Sequence, residues 1–498
     1  MTAARTYLTS CARINQLPST KERSFGPALS ALLNTVGEDL SPPVTCVMEL
    51  QNQGEGHPDG GLFTPDQQAE RGGPLFEGGT GPLPARGAIE VKPSTYSLDE
   101  LARSDQVARY LRRYGTVLLT NLRAFRLVGT TEDTPDEPET LESFIIAPSE
   151  DAFRALCANP SGLDAGTAER FTAFLKRVML RGAPLQRPKD VAWLLASYAR
   201  DAKIRLDEAS LDDLSHLRNA LENALGITFS GERGERFFRS TIIQTLFYGV
   251  FSAWVLWHRE RPTRVDTFDW SDSAEYLRVP VLETLFYQLV QPSQLRRLQI
   301  RELLAQAGDA LTRVDRSAFF DRFQVDEAVQ YFYEPFLEAF DPELRKQLGV
   351  WYTPREIVRY MVRRVDTVLR EELDIADGIA DDRVTLLDPC TGTAAYLVAV
   401  MELLEERYRD KGYGDMTGTA VKKAMRTRAY GFEILTAPFV VAHLQIGLKL
   451  AQLGAPLEEG ERAGVYLTNA LTGWEPPEEP QKILFPELQK EHDEADAV

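Results

Sequence analysis

Val384-Thr385-Leu386-Leu387-Asp388-Pro389-Cys390-Thr391-Gly392-Thr393-Ala394-Ala395-Tyr396-Leu397 changes its periodicity halfway along. Val384 to Leu387, apolar and β-branched, reads as a buried strand, which Asp388-Pro389 ends. Thr391 to Thr393 is a turn of small residues. From Ala394 the apolar positions Leu397, Val400, Met401, Leu403 and Leu404 are spaced for one face of a helix. A strand, a tight loop and a helix N-terminus direct backbone amides at one point in space, which makes this joint a candidate phosphate or adenosyl cradle of an α/β fold. Structural βα units that bind nothing carry similar joints.

The flanking segments narrow the choice. Val350 to Val358 opens a helix, with Thr353 placed as N-cap and Pro354 at its first position. Tyr430-Gly431-Phe432-Glu433-Ile434 is a short strand ending in a carboxylate, Ala437 to Leu450 a helix, and Val465 to Leu471 a further strand with a polar tip. In this order Tyr352-Thr353-Pro354, Asp388-Pro389-x-x-Gly392-Thr393, Gly431-Phe432-Glu433 and Thr468-Asn469-Ala470-Leu471 resemble the amino-terminal half of adenine-specific (N6) DNA methyltransferases, particularly the type IIG enzymes fused to restriction nucleases. The resemblance spans roughly Leu348 to Leu471 and implies the S-adenosylmethionine-binding half of a Rossmann-like domain. It places Thr353 and Pro354, with Tyr352 beside them, at the methionine end of the cofactor. Asp388 and Gly392, with Pro389 and Thr393, would form the loop against its amino acid and sulfonium. Glu433 would accept from the ribose hydroxyls and Asn469 would meet the adenine ring.

Two departures from the family pattern stand out. Ala394 occupies a position where the family usually has a second glycine; if positive φ is needed there, a methyl group costs about 1 kcal/mol. The Asn/Asp-Pro-Pro-Tyr/Phe tetrapeptide that holds the target adenine is not found; Asn159-Pro160-Ser161-Gly162 and Ser41-Pro42-Pro43-Val44 read as ordinary turns. The expectation is a chain ending at Val498 before the catalytic half, inactive alone as a methyltransferase and weak in cofactor binding, with a partner chain supplying the catalytic and target-recognition half.

Composition sets bounds. The 498 residues suffice for two to four domains, and 43% hydrophobic and 26% charged content is ordinary for a globular protein. Cys11, Cys46, Cys157 and Cys390 and the five histidines show no paired spacing, which speaks against a disulfide framework or zinc site and fits a reducing cytosol. Leu246 to Trp257 is short for a bilayer span and reads as a buried core helix; without a secretory leader, a cytoplasmic protein with no membrane partner is expected. A net charge of −18 leaves DNA as a partner only through a local basic surface, either Arg109, Arg112 and Arg113 or Lys422, Lys423, Arg426 and Arg428.

Residues 1–128 read as a small α/β domain: a helix over Phe25 to Val36, a strand over Val44 to Leu50, a Gly/Pro-rich loop from Thr64 to Arg86 expected to be mobile, a strand over Gly87 to Lys92, a helix over Asp99 to Arg113 and a strand over Thr116 to Thr120. Residues i and i+2 of a strand share a face, so Glu90 and Lys92 can share one site, reached by Asp59 from an adjacent strand. Two carboxylates and the Val91 carbonyl suit Mg²⁺; Lys92 can orient or deprotonate a water, and Gln106 can position either. The order Pro58-Asp59, Glu90-Val91-Lys92, then Gln106 to Leu111 resembles the PD-(D/E)xK nuclease fold, with Glu22 as a weak match to an accessory carboxylate.

Residues 129–142 are acidic and rich in Pro and Thr, a linker by composition. Residues 143–340 read as an all-helical spacer holding nuclease and methyltransferase apart, with its aromatic residues in the core and no phosphate-binding loop of a motor. Residues 341–498 are the cofactor-binding half-domain, ending in an acidic tail expected to fray. The fold class is α/β: a PD-(D/E)xK nuclease-like domain, a helical spacer and half of a Rossmann-like methyltransferase domain. The alternative function is a non-catalytic cofactor-binding scaffold or split subunit. A nucleotide-dependent oxidoreductase fails on the loop, which lacks three spaced glycines.

Overall fold

The computed structural model describes residues 2–17, 22–40, 42–50, 56–69, 83–130, 138–181, 183, 185–209, 211, 214–225, 228–261, 267–277, 280–322, 333–340, 353–458 and 460–471. The chain divides into two compact units, Met1–Ala183 and Pro184–Val498.

In the first unit six strands form one sheet in chain order: β1 (Thr45–Met48), β2 (Gly60–Phe63), β3 (Ala88–Val91), β4 (Thr116–Thr120), β5 (Ala124–Gly129) and β6 (Glu139–Ile145). β3 and β4 run parallel and the other neighbours antiparallel. The helices are α1 (Ala3–Asn15), α2 (Gly26–Gly37), α3 (Pro65–Ala69), α4 (Leu98–Ala102), α5 (Asp105–Tyr114), α6 (Glu150–Ala158) and α7 (Ala165–Leu180). The apolar face expected of α2, Leu29, Leu32, Leu33 and Val36, is buried. The single helix expected over 99–113 is two, because the Ser104 hydroxyl accepts from the Val107 amide and caps a fresh start at Asp105. The Gly/Pro-rich loop is held at both ends: Gln67 receives the Ala85 amide at 3.0 Å and donates to the Leu83 carbonyl. Its residues 70–82 lie outside those described.

The expected boundary at residue 128 falls inside this unit. β5 and β6 are paired neighbours of one sheet, and α6 and α7 belong to the same unit, so the acidic segment between them is no interdomain linker; its residues 131–137 lie outside those described. Glutamates disguised β6 as linker. Glu142 is nevertheless buried, its carboxylate 2.8 Å from Arg177 Nε of α7.

The second unit starts with helices α8 (Pro188–Glu208), α9 (Ser215–Leu225), α10 (Gly231–Glu260), α11 (Ser273–Tyr276), α12 (Pro280–Leu289), α13 (Pro292–Leu298), α14 (Arg301–Thr312), α15 (Arg316–Arg322) and α16 (Glu334–Phe340). Then come α17 (Arg355–Glu371), β7 (Leu386–Asp388), α18 (Ala395–Asp410), α19 (Thr417–Thr427), β8 (Ala429–Glu433), α20 (Thr436–Gln452) and β9 (Gly464–Leu467). β7, β8 and β9 form a parallel sheet in that order. From Thr241 to Val255 every residue of α10 is buried, so this stretch has partners on every side. Among the described residues it is the one helix long and apolar enough to cross a membrane, and 94% of that window is buried inside the protein. It packs on α8, α12 and α14 and also on α20, in one core continuous with the sheet. Of the expected spacer, 143–340, the helices after residue 184 thus share one compact unit and one core with the β7–β9 sheet.

Two buried polar groups lock this unit. Asp366 of α17 accepts from the Ile379 amide at 2.9 Å and pairs with Arg407 of α18 at 2.6 Å. Gly378, at φ +56°, lies so close that a Cβ would stand 2.1 Å from Asp366 Oδ1. Beneath the sheet His443 of α20 places Nε2 3.1 Å from the Val465 carbonyl, and burial pushes its imidazole down to about 3. An unfolded histidine binds a proton below pH ~6.5 while this one does not, so the folded state loses stability as pH falls from 6.5 toward 3. In His443→Gln, whose amide can reach the same carbonyl, that loss disappears. Urea midpoints at pH 7.5 and pH 5 are expected to fall less with acid in the variant than in the natural chain.

Candidate cofactor and metal sites

The parallel strands end together, bringing Asp388, Glu433 and the Thr468–Asn469 corner to the carboxyl edge of the sheet, where α/β folds bind ligands. The loop after β7 is tied to β8. Thr391 N donates to the Phe432 carbonyl at 2.9 Å, and its hydroxyl donates to the Asp388 carbonyl at 2.9 Å. Gly431 is required here, since a Cβ would stand 2.2 Å from Thr391 Oγ1. Gly392 N donates to Glu433 Oε2 and Leu435 N to Glu433 Oε1, both at 2.8 Å. Burial raises the Glu433 pKa against the pull of these amides. Asp388 Oδ1 accepts the Cys390 amide at 3.2 Å, whereas Oδ2 is buried with no partner and burial raises this carboxyl too.

The expected residues do not fall in one cluster. Asp388, Gly392 and Glu433 share the loop; Pro389 is exposed on it. Asn469, half-buried at the end of β9, accepts the Leu471 amide at 3.0 Å. Thr353 and Thr393 line a small cavity of 40 Å³ together with Gln445. Pro354, rather than Thr353, is the N-cap of α17, and no side chain caps it. Tyr352 lies outside the described residues. Gln445 is the residue that sequence reading missed: it is 3% exposed and its Nε2 has no partner. A lone amide in the apolar run of α20 was the available signal.

In the first unit the four expected metal-site residues do come together. Glu90 is 2% exposed, with Oε1 2.6 Å from Lys92 Nζ and 2.8 Å from Gln106 Nε2. Gln106 Nε2 also lies 3.1 Å from the Tyr110 hydroxyl, and Asp59 Oδ2 accepts the Val91 amide at 2.8 Å. Burial, and then the nearby Asp59 charge, raises the Glu90 carboxyl to about 7. Its Oε2 is buried without a partner. A buried, unsatisfied oxygen beside a second carboxylate suits a divalent cation. Among the described residues no group of three or more His, Cys, Asp and Glu is placed to hold a metal, so the candidate rests on two carboxylates and a carbonyl. Asp59 and Val91 line a cavity of 680 Å³ shared with Arg23, Ser30, Glu49 and His57. His57, two residues before Asp59, was legible as a neighbour but not as a lining residue. Glu22 opens a 3-10 turn, Glu22–Phe25, and its side chain lies outside the described residues.

Of the second expected basic surface, Lys423 and Arg426 are exposed. Arg428 is buried against the Ile379 and Val384 carbonyls and the Tyr408 hydroxyl, while Lys422 and Arg426 both pair with Glu461. Arg109, Arg112 and Arg113 are exposed on α5.

Ala394 sits at φ +70°, ψ +28°, directly before α18, and is fully buried. Left-handed geometry costs an alanine about 1 kcal/mol, and burying its methyl returns about 0.8 kcal/mol. Ala394→Gly is therefore expected to be near neutral in urea denaturation. Ala394→Val, β-branched in the same geometry, is expected to lose roughly 2 kcal/mol.

Residues 324–453 match the family model for N-6 DNA methylase. No curated protein matches the chain. Among solved structures, the DrdV–DNA complex determined by cryo-electron microscopy is 19% identical over 99% of this chain and 42% of its own, with a TM-score of 0.43. The ATP-dependent type ISP restriction–modification enzyme LlaBIII bound to DNA is 17% identical over 68% of this chain and 21% of its own, with a TM-score of 0.43. The type IIG restriction endonuclease BpuSI is 14% identical over 89% of this chain and 44% of its own, with a TM-score of 0.25. The chain thus spans less than half the length of each of these. The N-6 methylase family uses S-adenosylmethionine. The Asp388–Thr393 loop and Glu433 fall inside the matched segment, and the chain carries a domain of the N-6 DNA methylase family.

Proposed function

We propose that this chain is the amino-terminal part of a DNA restriction–modification protein that couples adenine-N6 methyl transfer from S-adenosylmethionine to a metal-dependent endonuclease. The observation that carries the reading is the Asp388–Gly392–Glu433 joint within the methylase domain. Bound cofactor supplies the methyl group. Asp388 Oδ2, buried and unpaired, would accept from its amino group; Glu433 Oε1 and Oε2 each keep a second lone pair for the ribose hydroxyls. Asn469 would meet the adenine ring.

The endonuclease part rests on Asp59, Glu90, Lys92 and Gln106. Mg²⁺ held by Asp59 and Glu90 would supply Lewis-acid stabilisation of the phosphate, and Lys92 would orient or deprotonate the attacking water. DNA as the partner is supported by Arg109, Arg112 and Arg113, exposed three and four residues apart on the helix that also carries Gln106, with no ion pair among the described residues.

Contact with the target base, which must leave its stack to be modified, is assigned to a second chain. Its support is an apolar face left open among the described residues: Ile357, Tyr360, Met361 and Val365 of α17 are 49%, 70%, 47% and 46% exposed along one stripe. β7 lies at the end of its sheet among the described residues, and its Leu387 is 47% exposed. The scaffold reading draws on the strained Ala394 and shares the same partner.

Isothermal titration of S-adenosylmethionine into the full chain tests the cofactor site that both readings require: saturable binding that Asp388→Ala removes supports the assignment of the loop, and no binding by the natural chain refutes it. For the metal site, Mg²⁺ or Mn²⁺ is expected to raise the melting temperature of the natural chain and of Lys92→Ala, but not of Asp59→Ala or Glu90→Ala. Equal stabilisation of all four would reduce Glu90 and Lys92 to a charged strand.

A further inference from the structure

A third cavity, of about 380 Å³, lies between α10 and α20 and belongs to neither site above. Its walls are apolar, with Leu256 on α10 and Val440, Leu444 and Ala451 on α20. Gly447 also lines it, in the interior of a helix where glycine is less favourable than alanine. No close neighbour demands that glycine, since a Cβ there would meet nothing within 4 Å. What the missing side chain leaves is open space.

Polar groups stand at two places in this wall. Ser252 is 2% exposed and its hydroxyl has no partner, although a serine in a helix can bond back to the preceding turn. Arg259, exposed and without an ion pair among the described residues, stands seven residues further along the same helix, two turns and roughly 10 Å away. Arg462 adds a second cation. Glu461, the one lining acid among the described residues, is already paired with Lys422 and with Arg426, the latter at 2.6 Å, and the buried His443 is neutral. Among the described lining residues, then, the acid that could compete for Arg259 is already engaged elsewhere.

We propose that this cavity binds a small amphipathic monoanion whose carboxylate meets Arg259 and whose apolar body, roughly 10 Å long, ends in a hydrogen-bonding group at Ser252. The cavity falls within the size range of small-molecule sites, and its few polar groups are placed to fix orientation. The site depends on neither the methylase nor the nuclease reading.

The test uses octanoate and 8-hydroxyoctanoate, titrated calorimetrically into the full chain. Both are expected to bind, the hydroxylated acid about fivefold more tightly, the worth of one added hydrogen bond. Ser252→Ala should erase the difference between the two acids. Arg259→Ala should weaken both by about tenfold, with Arg259→Lys recovering part of the loss. Gly447→Leu should fill the cavity and abolish both, its melting temperature confirming that it folds. Absence of binding, equal affinity of the two acids for the natural chain, or binding that survives Gly447→Leu in a folded protein would each overturn the proposal. If Gly447→Leu does not fold, the Ser252 comparison decides alone.

Discussion

The Glu433 carboxylate is the hinge of the cofactor half. It takes one amide from the loop after β7 and one from the turn before α20, so a single buried side chain sets where two elements begin. Replacing it by an apolar residue would leave two amides buried and unpaired, at about 1–3 kcal/mol each. The demand spreads outward. Gly392 must present its amide to Glu433, Thr391 must then lie on Gly431, and the chain must turn through a left-handed Ala394 to enter α18. Strain at Ala394 is thus a cost of satisfying Glu433.

The buried polar groups of this molecule differ in how far the fold itself satisfies them. Glu433 and Asp366 are buried carboxylates whose oxygens are used by the fold itself. Glu90, Asp388, Gln445 and Ser252 are also withdrawn from water, yet each keeps one polar atom unpaired. The first pair holds elements together. The second group lies at the metal candidate, the cofactor loop, the small cavity behind it and the cavity on α10. Each unpaired atom is destabilising in the bare protein, and a ligand with the complementary group would relieve that cost.

Much of this was legible beforehand where local chemistry and periodicity agree. The strand–loop–helix at Val384 to Leu397 and the carboxylate at Glu433 appear within a residue or two of their expected places. So does the Glu90–Lys92 pairing on β3, with Asp59 and Gln106 beside it, because a two-residue repeat constrains a strand strongly. What failed were statements about neighbours in space. β6 reads as solvated linker because nothing local reveals Arg177, which lies on α7 and neutralises Glu142. The helices after residue 184 read as a spacer because periodicity shows that α10 has an apolar face but not that α20 covers it. Arg428 counted as surface charge for the same reason: its acceptors come from Ile379, Val384 and Tyr408, all distant in sequence.

The contact between Gly378 and Asp366 bears on how such a chain can change over generations. Any side chain at position 378 collides with a carboxylate that Ile379 and Arg407 already hold in place. Loss of Asp366 alone would strand the Arg407 guanidinium, and loss of Arg407 alone would strand the carboxylate. The three positions therefore form an epistatic set, in which no member can drift until another has moved. Descendants of this sequence should inherit Gly378, Asp366 and Arg407 together or replace them together, whatever becomes of the residues that bind ligand.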